Sequence, residues 1–299
     1  MKTPDFLKKG DTVAIVCPAS YIKDHIKNSL SILNSWGLDV KIGETVNAQH
    51  HQFAGTDRLR ASDLQNALDM PNIKAIFAAR GGYGTVRIID DINFTNFVKK
   101  PKWIIGFSDI TVLHSHIHHN FNIPTVHGQM PKSFDNSTLE ALDSLRDTLF
   151  GNIQIFQHKQ TVFLNRPGIA EGQIIGGNLA ILHSLIGSQS DMNYEGKILF
   201  IEDVGEKMYN IDRMLWTLKR ANKLEGLAGL IIGSFSSMKD STPSFGQSIE
   251  EIILEKVQEY SFPVAFHYPA GHIENNHSLI LGKQVKMHVD KHEIKILYI

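Results

Sequence analysis

The chain has 299 residues, 42% of them hydrophobic, with 30 Lys and Arg against 31 Asp and Glu for a formal net charge of -1. At about 150 residues per domain this length predicts two domains, each with enough apolar content for its own core. The balanced charge supplies no pull toward nucleic acid or an anionic membrane, so neither is expected as a partner, and a neutral or zwitterionic small substrate fits better.

The first residues, MKTPDFLKKGDTVAIVCPAS, contain no signal-peptide core and no small-residue cleavage site. The longest apolar stretches, such as GLAGLIIGSF from Gly226, fall well short of the ~20 residues that cross a bilayer. A single cysteine, Cys17, excludes an internal disulfide and a cysteine-rich metal site. A cytoplasmic protein is expected, with Cys17 a small buried residue at a strand end rather than a nucleophile.

Thr12 to Cys17 (TVAIVC) is a β-branched run stopped by Pro18, and the segment Ile22 to Trp36 has helical spacing at Ile26, Leu30 and Leu33. Val40 to Ile42 reads as a strand and Arg58 to Leu68 as a helix. Ala75 to Ala79 is a buried strand, Thr85 to Asp91 a helix, Trp103 to Phe107 a buried strand and Ile110 to His119 a helix. Strands that are apolar throughout and alternate with helices predict a parallel sheet covered on both faces.

The alternation breaks at GNIQIFQHKQTVFLNRPG, so residues 1–150 are assigned to a first domain, 151–170 to a crossing and 171–299 to a second domain. In the second, the turn Gly176-Gly177 leads into a helix Asn178 to Ile186, a strand Ile198 to Ile201 and a helix Ile211 to Leu218. A strand Leu227 to Ile232, a helix Ser248 to Tyr260 and a strand near Val264 follow. Val285 to Val289 and Glu293 to Tyr298, separated by Asp290-Lys291-His292, read as a closing hairpin.

Four segments have the residue types and positions that chemistry needs. In IIGFSDIT a buried strand ends at Gly106 and turns into a helix, which sets Ser108 at the carboxyl end of a parallel strand, with the N–H of Asp109 at a helix N-terminus able to hold an oxyanion. Ile110 stands where a G-x-S-x-G elbow has its second glycine, and a simple helix N-cap by Ser108 or Asp109 is the alternative. Arg80-Gly81-Gly82-Tyr83-Gly84 follows another buried strand and can bring backbone N–H groups close to a ligand, or make a plain tight turn; it matches neither G-x-G-x-x-G nor a P-loop.

Glu202, Asp203 and Glu206 follow the strand LFI. Glu202, just past it, is best anchored to orient a histidine, whereas Asp203 and Glu206 read as solvated or as caps for the next helix. The loop YPAGHIENN supplies His272, whose chemistry suits a general base, although one histidine among 15 carries little weight alone. His114 and His118 share a helix face at metal-ligand spacing, but position 115 lacks the glutamate of an H-E-x-x-H site. Packing or solvent exposure explains that cluster better, and no metal or cofactor is expected.

Taken together, GDTVAIVCPAS, FAGTDRLRASDLQNAL, AARGGYG, WIIGFSDITVLH, GQIIGGNLAILHSLIGS, GKILFIEDVGEKMYNIDRMLWTL and FPVAFHYPAGHIENN, in this order, resemble the LD-carboxypeptidases of serine peptidase family S66, a group that includes the microcin-immunity peptidases. The resemblance implies a flavodoxin-like or class I amidotransferase-like parallel-sheet domain followed by a smaller β-rich α/β domain. It implies Ser108 as nucleophile, Glu202 as the charge-relay carboxylate and His272 as the base, with an oxyanion hole from the Arg80-Gly81-Gly82 turn and Asp109. Domain closure would assemble that triad. The histidine loop departs from the family's Gly-His-Gly at Ile273. The implied activity is release of D-alanine from cytosolic murein tetrapeptides during peptidoglycan recycling, by a homodimer. The alternatives are cleavage of a peptidyl- or aminoacyl-nucleotide, and a non-catalytic protein that closes on a small ligand.

Overall fold

The computed structural model describes residues 2–23, 26–153, 155–159 and 164–299. The predicted helix from Ile22 includes Asp24 and His25, and the predicted crossing at 151–170 includes Gln154 and Gln160 to Phe163; these lie outside the described residues. The chain divides into two compact units, Met1–Asn152 with Glu274–Leu281, and Ile153–Ile273 with Gly282–Ile299.

The first unit opens with β1 (Thr12–Val16), α1 (Lys27–Ser35), β2 (Asp39–Ile42), α2 (Asp57–Asp69) and β3 (Ile73–Ala78). It continues through α3 (Thr95–Lys99), β4 (Trp103–Gly106), α4 (Thr111–Phe121), β5 (Thr125–His127) and α5 (Leu139–Phe150). The five strands pair in parallel in the order β2-β1-β3-β4-β5, the flavodoxin-like winding. β4 is buried along its whole length, as the apolar run WIIG requires of a strand covered on both faces. This winding reverses direction between β1 and β3, so the loops after those strands, together with the loop after β4, form the crevice where such sheets bind ligands.

The helix predicted over Thr85 to Asp91 is instead two short 3-10 turns, Thr85–Arg87 and Ile89–Asp91. The β-branched run Thr85, Val86, Ile88, Ile89 disfavours a regular helix.

The second unit is built on β6 (Phe156–Lys159), β7 (Gly168–Asn178), α6 (Leu179–Leu185), β8 (Ile198–Val204), α7 (Met208–Arg220), β9 (Gly229–Ser236), α8 (Ile249–Val257) and β10 (Val264–Ala265). β7 to β10 run parallel, and β7 is long enough to pair β8 with its second half and an antiparallel strand with its first. Gly176 and Gly177, read from sequence as a turn, lie inside β7. A Cβ on Gly176 would stand 1.9 Å from the Phe200 carbonyl oxygen, so the glycine permits a close strand approach rather than a reversal.

Between Ile273 and Glu274 the chain leaves the second unit and returns to the first. There β11 (Leu279–Leu281) adds antiparallel to the edge of β5, a strand absent from the sequence reading and one that puts part of the predicted second domain into the first unit. The chain ends with β12 (Gln284–Val289) and β13 (Glu293–Tyr298), the expected antiparallel hairpin, in the second unit. Among the described residues no helix is long and apolar enough to cross a membrane.

Candidate active site

The first unit presents Ser108 on a strained turn. β4 ends at Gly106, and Ser108 follows with φ of +63°, a left-handed conformation that costs a non-glycine residue about 1–3 kcal/mol. Neither Ser108 nor Asp109 caps a helix: the residues before the 3-10 turn Ser108–Ile110 and before α4 accept no side-chain capping bond. The cap reading therefore does not describe this turn. Gly106 leaves room for Ile110, since a Cβ there would stand 2.9 Å from the Ile110 side chain.

The glycine turn after β3 lies against this serine. A Cβ on Gly81 would meet Ser108 Cβ at 2.9 Å and Ser108 Oγ at 3.1 Å, so only glycine fits beside the hydroxyl. Gly82 and Gly84 have φ of +102° and +139°. Among the described residues nothing accepts a hydrogen bond from the Gly81 or Gly82 N–H. Such paired N–H groups beside a serine hydroxyl are what an oxyanion hole requires.

Side chains that the sequence reading did not single out tie this turn down. Ser20 donates its N–H to Gly81 O at 3.3 Å, and its Oγ accepts the Tyr83 N–H at 3.2 Å. Arg80 donates to Tyr21 O at 2.8 Å. Arg60, fully buried, donates to Gly84 O at 2.8 Å and also to Pro18 O and Asp57, joining the loop after β1 to the glycine turn. Arg60 sits in the helix-like DRLRASDL, and nothing local marks it for burial.

Below the serine, His114 is fully buried and its Nε2 donates to Gly106 O at 2.9 Å. Burial lowers its pKa to about 4, so the ring is a neutral packing element. His116 packs between Phe94 and Phe121. Both accord with the packing explanation of the histidine cluster. Cys17 is completely buried, and its thiol is pushed up to about 12, chiefly by burial and then by Asp63.

The second unit brings Glu202 and His272 together. β8 runs to Val204, so Glu202 and Asp203 lie within the strand and not beyond it. The register of β8 against β9 shifts between Ile201 and Asp203, and both carboxylates are buried at the strand's carboxyl end. Glu202 Oε2 and His272 Nδ1 are 2.7 Å apart. A carboxylate can only accept, so the imidazole donates from Nδ1 and the neutral ring exchanges protons through Nε2. The Glu202 side chain is 0% exposed and that of His272 is 21% exposed, so the carboxylate lies inside and the imidazole reaches the surface.

Two glycines leave room for the Glu202 side chain. A Cβ on Gly271, whose φ is +124°, would meet Glu202 Oε2 at 2.8 Å, and one on Gly233 would meet Glu202 Cβ at 3.2 Å. Asn178, which caps α6 through its Oδ1, donates from Nδ2 to Glu202 Oε1 at 3.3 Å and to Asp203 Oδ1 at 3.1 Å. Asp203 is not solvated, and it does not cap the following helix. Its Oδ2 accepts the Ala180 N–H of α6 at 2.9 Å, and burial, with a smaller push from Glu202, raises its pKa to about 6. Glu206 does serve the next helix, accepting from Asn210 at 2.8 Å. Ser236 Oγ donates to the His272 carbonyl at 3.1 Å and steadies the loop. Ile273 has no positive φ, so its position makes no backbone demand for glycine, and its side chain lines a cavity of about 340 Å³ with Ile232, Phe235 and Pro269.

A hydroxyl on a strained turn beside unpaired N–H groups, and a buried carboxylate that orients a histidine, are the parts of a serine hydrolase. The LD-carboxypeptidase N-terminal domain matches residues 13–128 and the LD-carboxypeptidase C-terminal domain residues 171–287. The chain belongs to the LD-carboxypeptidases of peptidase family S66. It is 34% identical to a probable murein peptide carboxypeptidase of Bacillus subtilis, over 95% of this chain and 91% of that one. It is 32% identical to the murein tetrapeptide carboxypeptidase of Pseudomonas aeruginosa, over 91% of each. The solved muramoyltetrapeptide carboxypeptidase of Oxalobacter formigenes superposes with a TM-score of 0.87 at 27% identity, over 95% of this chain and 97% of that one. The fold is shared with MccF in complex with glutamyl sulfamoyl guanosine, at a TM-score of 0.88 and 21% identity, over 98% of this chain and 97% of that one.

Proposed function

We propose that this chain is a serine carboxypeptidase that releases terminal D-alanine from murein tetrapeptides by cleaving the L,D-peptide bond, with Ser108 as nucleophile, His272 as general base and Glu202 as its orienting carboxylate. The observation that carries the catalytic assignment is the 2.7 Å bond between His272 Nδ1 and the fully buried Glu202. The substrate class is supported by the relatives in Bacillus subtilis and Pseudomonas aeruginosa, named for murein peptides. A cytoplasmic setting accords with the lone, buried Cys17.

The reading requires that the first unit's serine and the second unit's Glu–His pair meet over the substrate. His272 Nε2 takes the Ser108 proton as Oγ attacks the scissile carbonyl, and the Gly81, Gly82 and Asp109 N–H groups hold the oxyanion. Collapse breaks the C–N bond, and the imidazolium returns its proton to the leaving D-alanine amine. Water, deprotonated by His272, then attacks the acyl-enzyme and frees the tripeptide carboxylate and Ser108.

The test incubates wild type and Ser108→Ala with an L,D-tetrapeptide and its D,D analogue and measures free D-alanine. Release from the L,D compound by wild type, lost in Ser108→Ala, is expected. Equal release by the variant sinks the nucleophile assignment. Cleavage of a peptidyl-nucleotide with none of the tetrapeptide moves the substrate to that class, and ligand binding without any turnover makes the chain a binding protein.

A further inference from the structure

In the proposed mechanism Asp109 contributes only its backbone N–H, yet its side chain is buried and bonded through one oxygen, while Oδ1 has no partner among the described residues. It is 1% exposed, and its Oδ2 accepts the Thr85 N–H at 2.8 Å. Thr85 immediately follows the glycine turn, and Asp109 immediately follows Ser108. The carboxylate therefore joins the segment that carries the hydroxyl to the segment that carries the oxyanion donors.

That link matters because the turn is intrinsically loose. Gly81, Gly82 and Gly84 have wide conformational freedom, and donors aimed at an oxyanion act only when fixed in advance. Ser20, Arg80 and Arg60 anchor the turn to the loop after β1. None of those anchors relates the turn to Ser108. The Asp109 carboxylate does so, one residue from Ser108 on one side and through Tyr83 and Gly84 to Gly82 on the other. Burial raises the pKa of Asp109, and the hydrogen bonds around Thr85 and Gly84 oppose that rise. A carboxyl kept in such a place loses hydration that only its partners restore.

We propose that the Asp109 side chain is a positioning residue that fixes the Gly81–Gly82 donors against Ser108 through the Thr85 N–H. The proposal rests on the serine-peptidase reading above, and Ser108→Ala separates the two. If that variant keeps its activity, the whole reading falls. If it is inactive while Asp109 variants behave as wild type, only the positioning role falls.

The experiment measures kcat and KM for D-alanine release, together with the affinity of a tripeptide boronic acid in which boron replaces the scissile carbonyl carbon. Asp109→Ala is expected to lower kcat by about 10²–10³-fold and to weaken the boronate by a similar factor, with KM within about threefold of wild type. Asp109→Asn retains an acceptor for Thr85 and is expected to recover kcat to within about tenfold of wild type. A folded Asp109→Ala enzyme with unchanged kcat overturns the proposal. So does one whose KM and boronate affinity worsen together, and so does an Asn variant as slow as the Ala variant. Should Asp109→Ala fail to fold, an ester in place of the Gly84–Thr85 amide removes the donor and leaves the carboxyl and both side chains in place. It must then show the same fall in kcat and boronate affinity, and wild-type values for it overturn the proposal.

Discussion

Replacing Gly271 by Ala probes the Glu202–His272 pair without touching either residue. The new Cβ would stand 2.8 Å from Glu202 Oε2, 3.0 Å from its Cβ and 3.3 Å from its Cγ. Glu202 is fully buried and its two carboxylate oxygens are held by His272 Nδ1 and Asn178 Nδ2, so it cannot move away without giving up one of those bonds. The strain is relieved by turning Oε2 off His272 Nδ1 or by lifting the histidine loop. The backbone adds to it, since φ of +124° is a glycine conformation and an alanine there costs about 1–3 kcal/mol. Misplacing a catalytic group by about 1 Å is worth about 10²-fold, and losing the oriented base altogether up to about 10⁴-fold. Gly271→Ala is therefore expected to lower kcat for D-alanine release by about 10²–10⁴-fold with KM within about threefold of wild type. Thermal unfolding is expected about 2–10 °C lower. Steady-state kinetics and calorimetry on the same preparation decide it. A variant with kcat within about threefold of wild type would refute the argument that this glycine holds the carboxylate in place.

Gly81→Ala tests the other half of the site. With a Cβ 2.9 Å from Ser108 Cβ and 3.3 Å from Phe107 O, and no positive φ at residue 81, the clash falls on the Ser108 turn and not on the conformation of residue 81. A loss of kcat of about 10²–10³-fold with little change in melting temperature is expected. Wild-type kinetics would remove Gly81 from the oxyanion site. His114 gives a pH signature for the support beneath Ser108. Its folded pKa of about 4 lies below the free value of 6.5, so its stabilising effect is full above pH 6.5 and is lost as pH falls toward 4. Asp203, raised to about 6 from 3.8, works in the opposite sense, its contribution being full below pH 3.8 and lost as pH rises through 6. Comparing wild type with His114→Gln cancels the Asp203 effect. The stability difference in urea is expected to move against wild type by about 2–3 kcal/mol between pH 7 and pH 4.5, and a constant difference would contradict a neutral, buried ring.

Much of the site was legible because its residues sit where strand periodicity breaks. Ser108 follows WIIG, the glycine turn follows IKAIFA, and Glu202 closes an apolar run. Ordered motifs then linked these positions to His272. Harder to read were the side chains that hold them. Arg60 and Asp109 are charged residues in segments that read as ordinary amphipathic helix starts. Their burial depends on carbonyl and N–H groups supplied by other loops. Asp203 looked solvated because its local sequence is acidic, whereas its partner is the first turn of α6. The glycines at 176 and 177 looked like a turn because close strand approach and chain reversal call for the same residue type.

By itself, the sequence determined the alternation of strands and helices, the parallel character of the first sheet and the strand ends at which the candidate site residues sit. These follow from hydrophobic period and turn chemistry, both of which act over a few residues. Only the tertiary structure decided the left-handed backbone at Ser108, the packing of Glu202 against Gly233 and Gly271, and the return of Glu274–Leu281 to the first unit. The pairing of Leu279 with His127 joins residues far apart in the chain, and the packing of Gly81 on Ser108 joins two separate strand ends. Such contacts are set by which surfaces meet once the sheets form, and no local pattern along the chain encodes them.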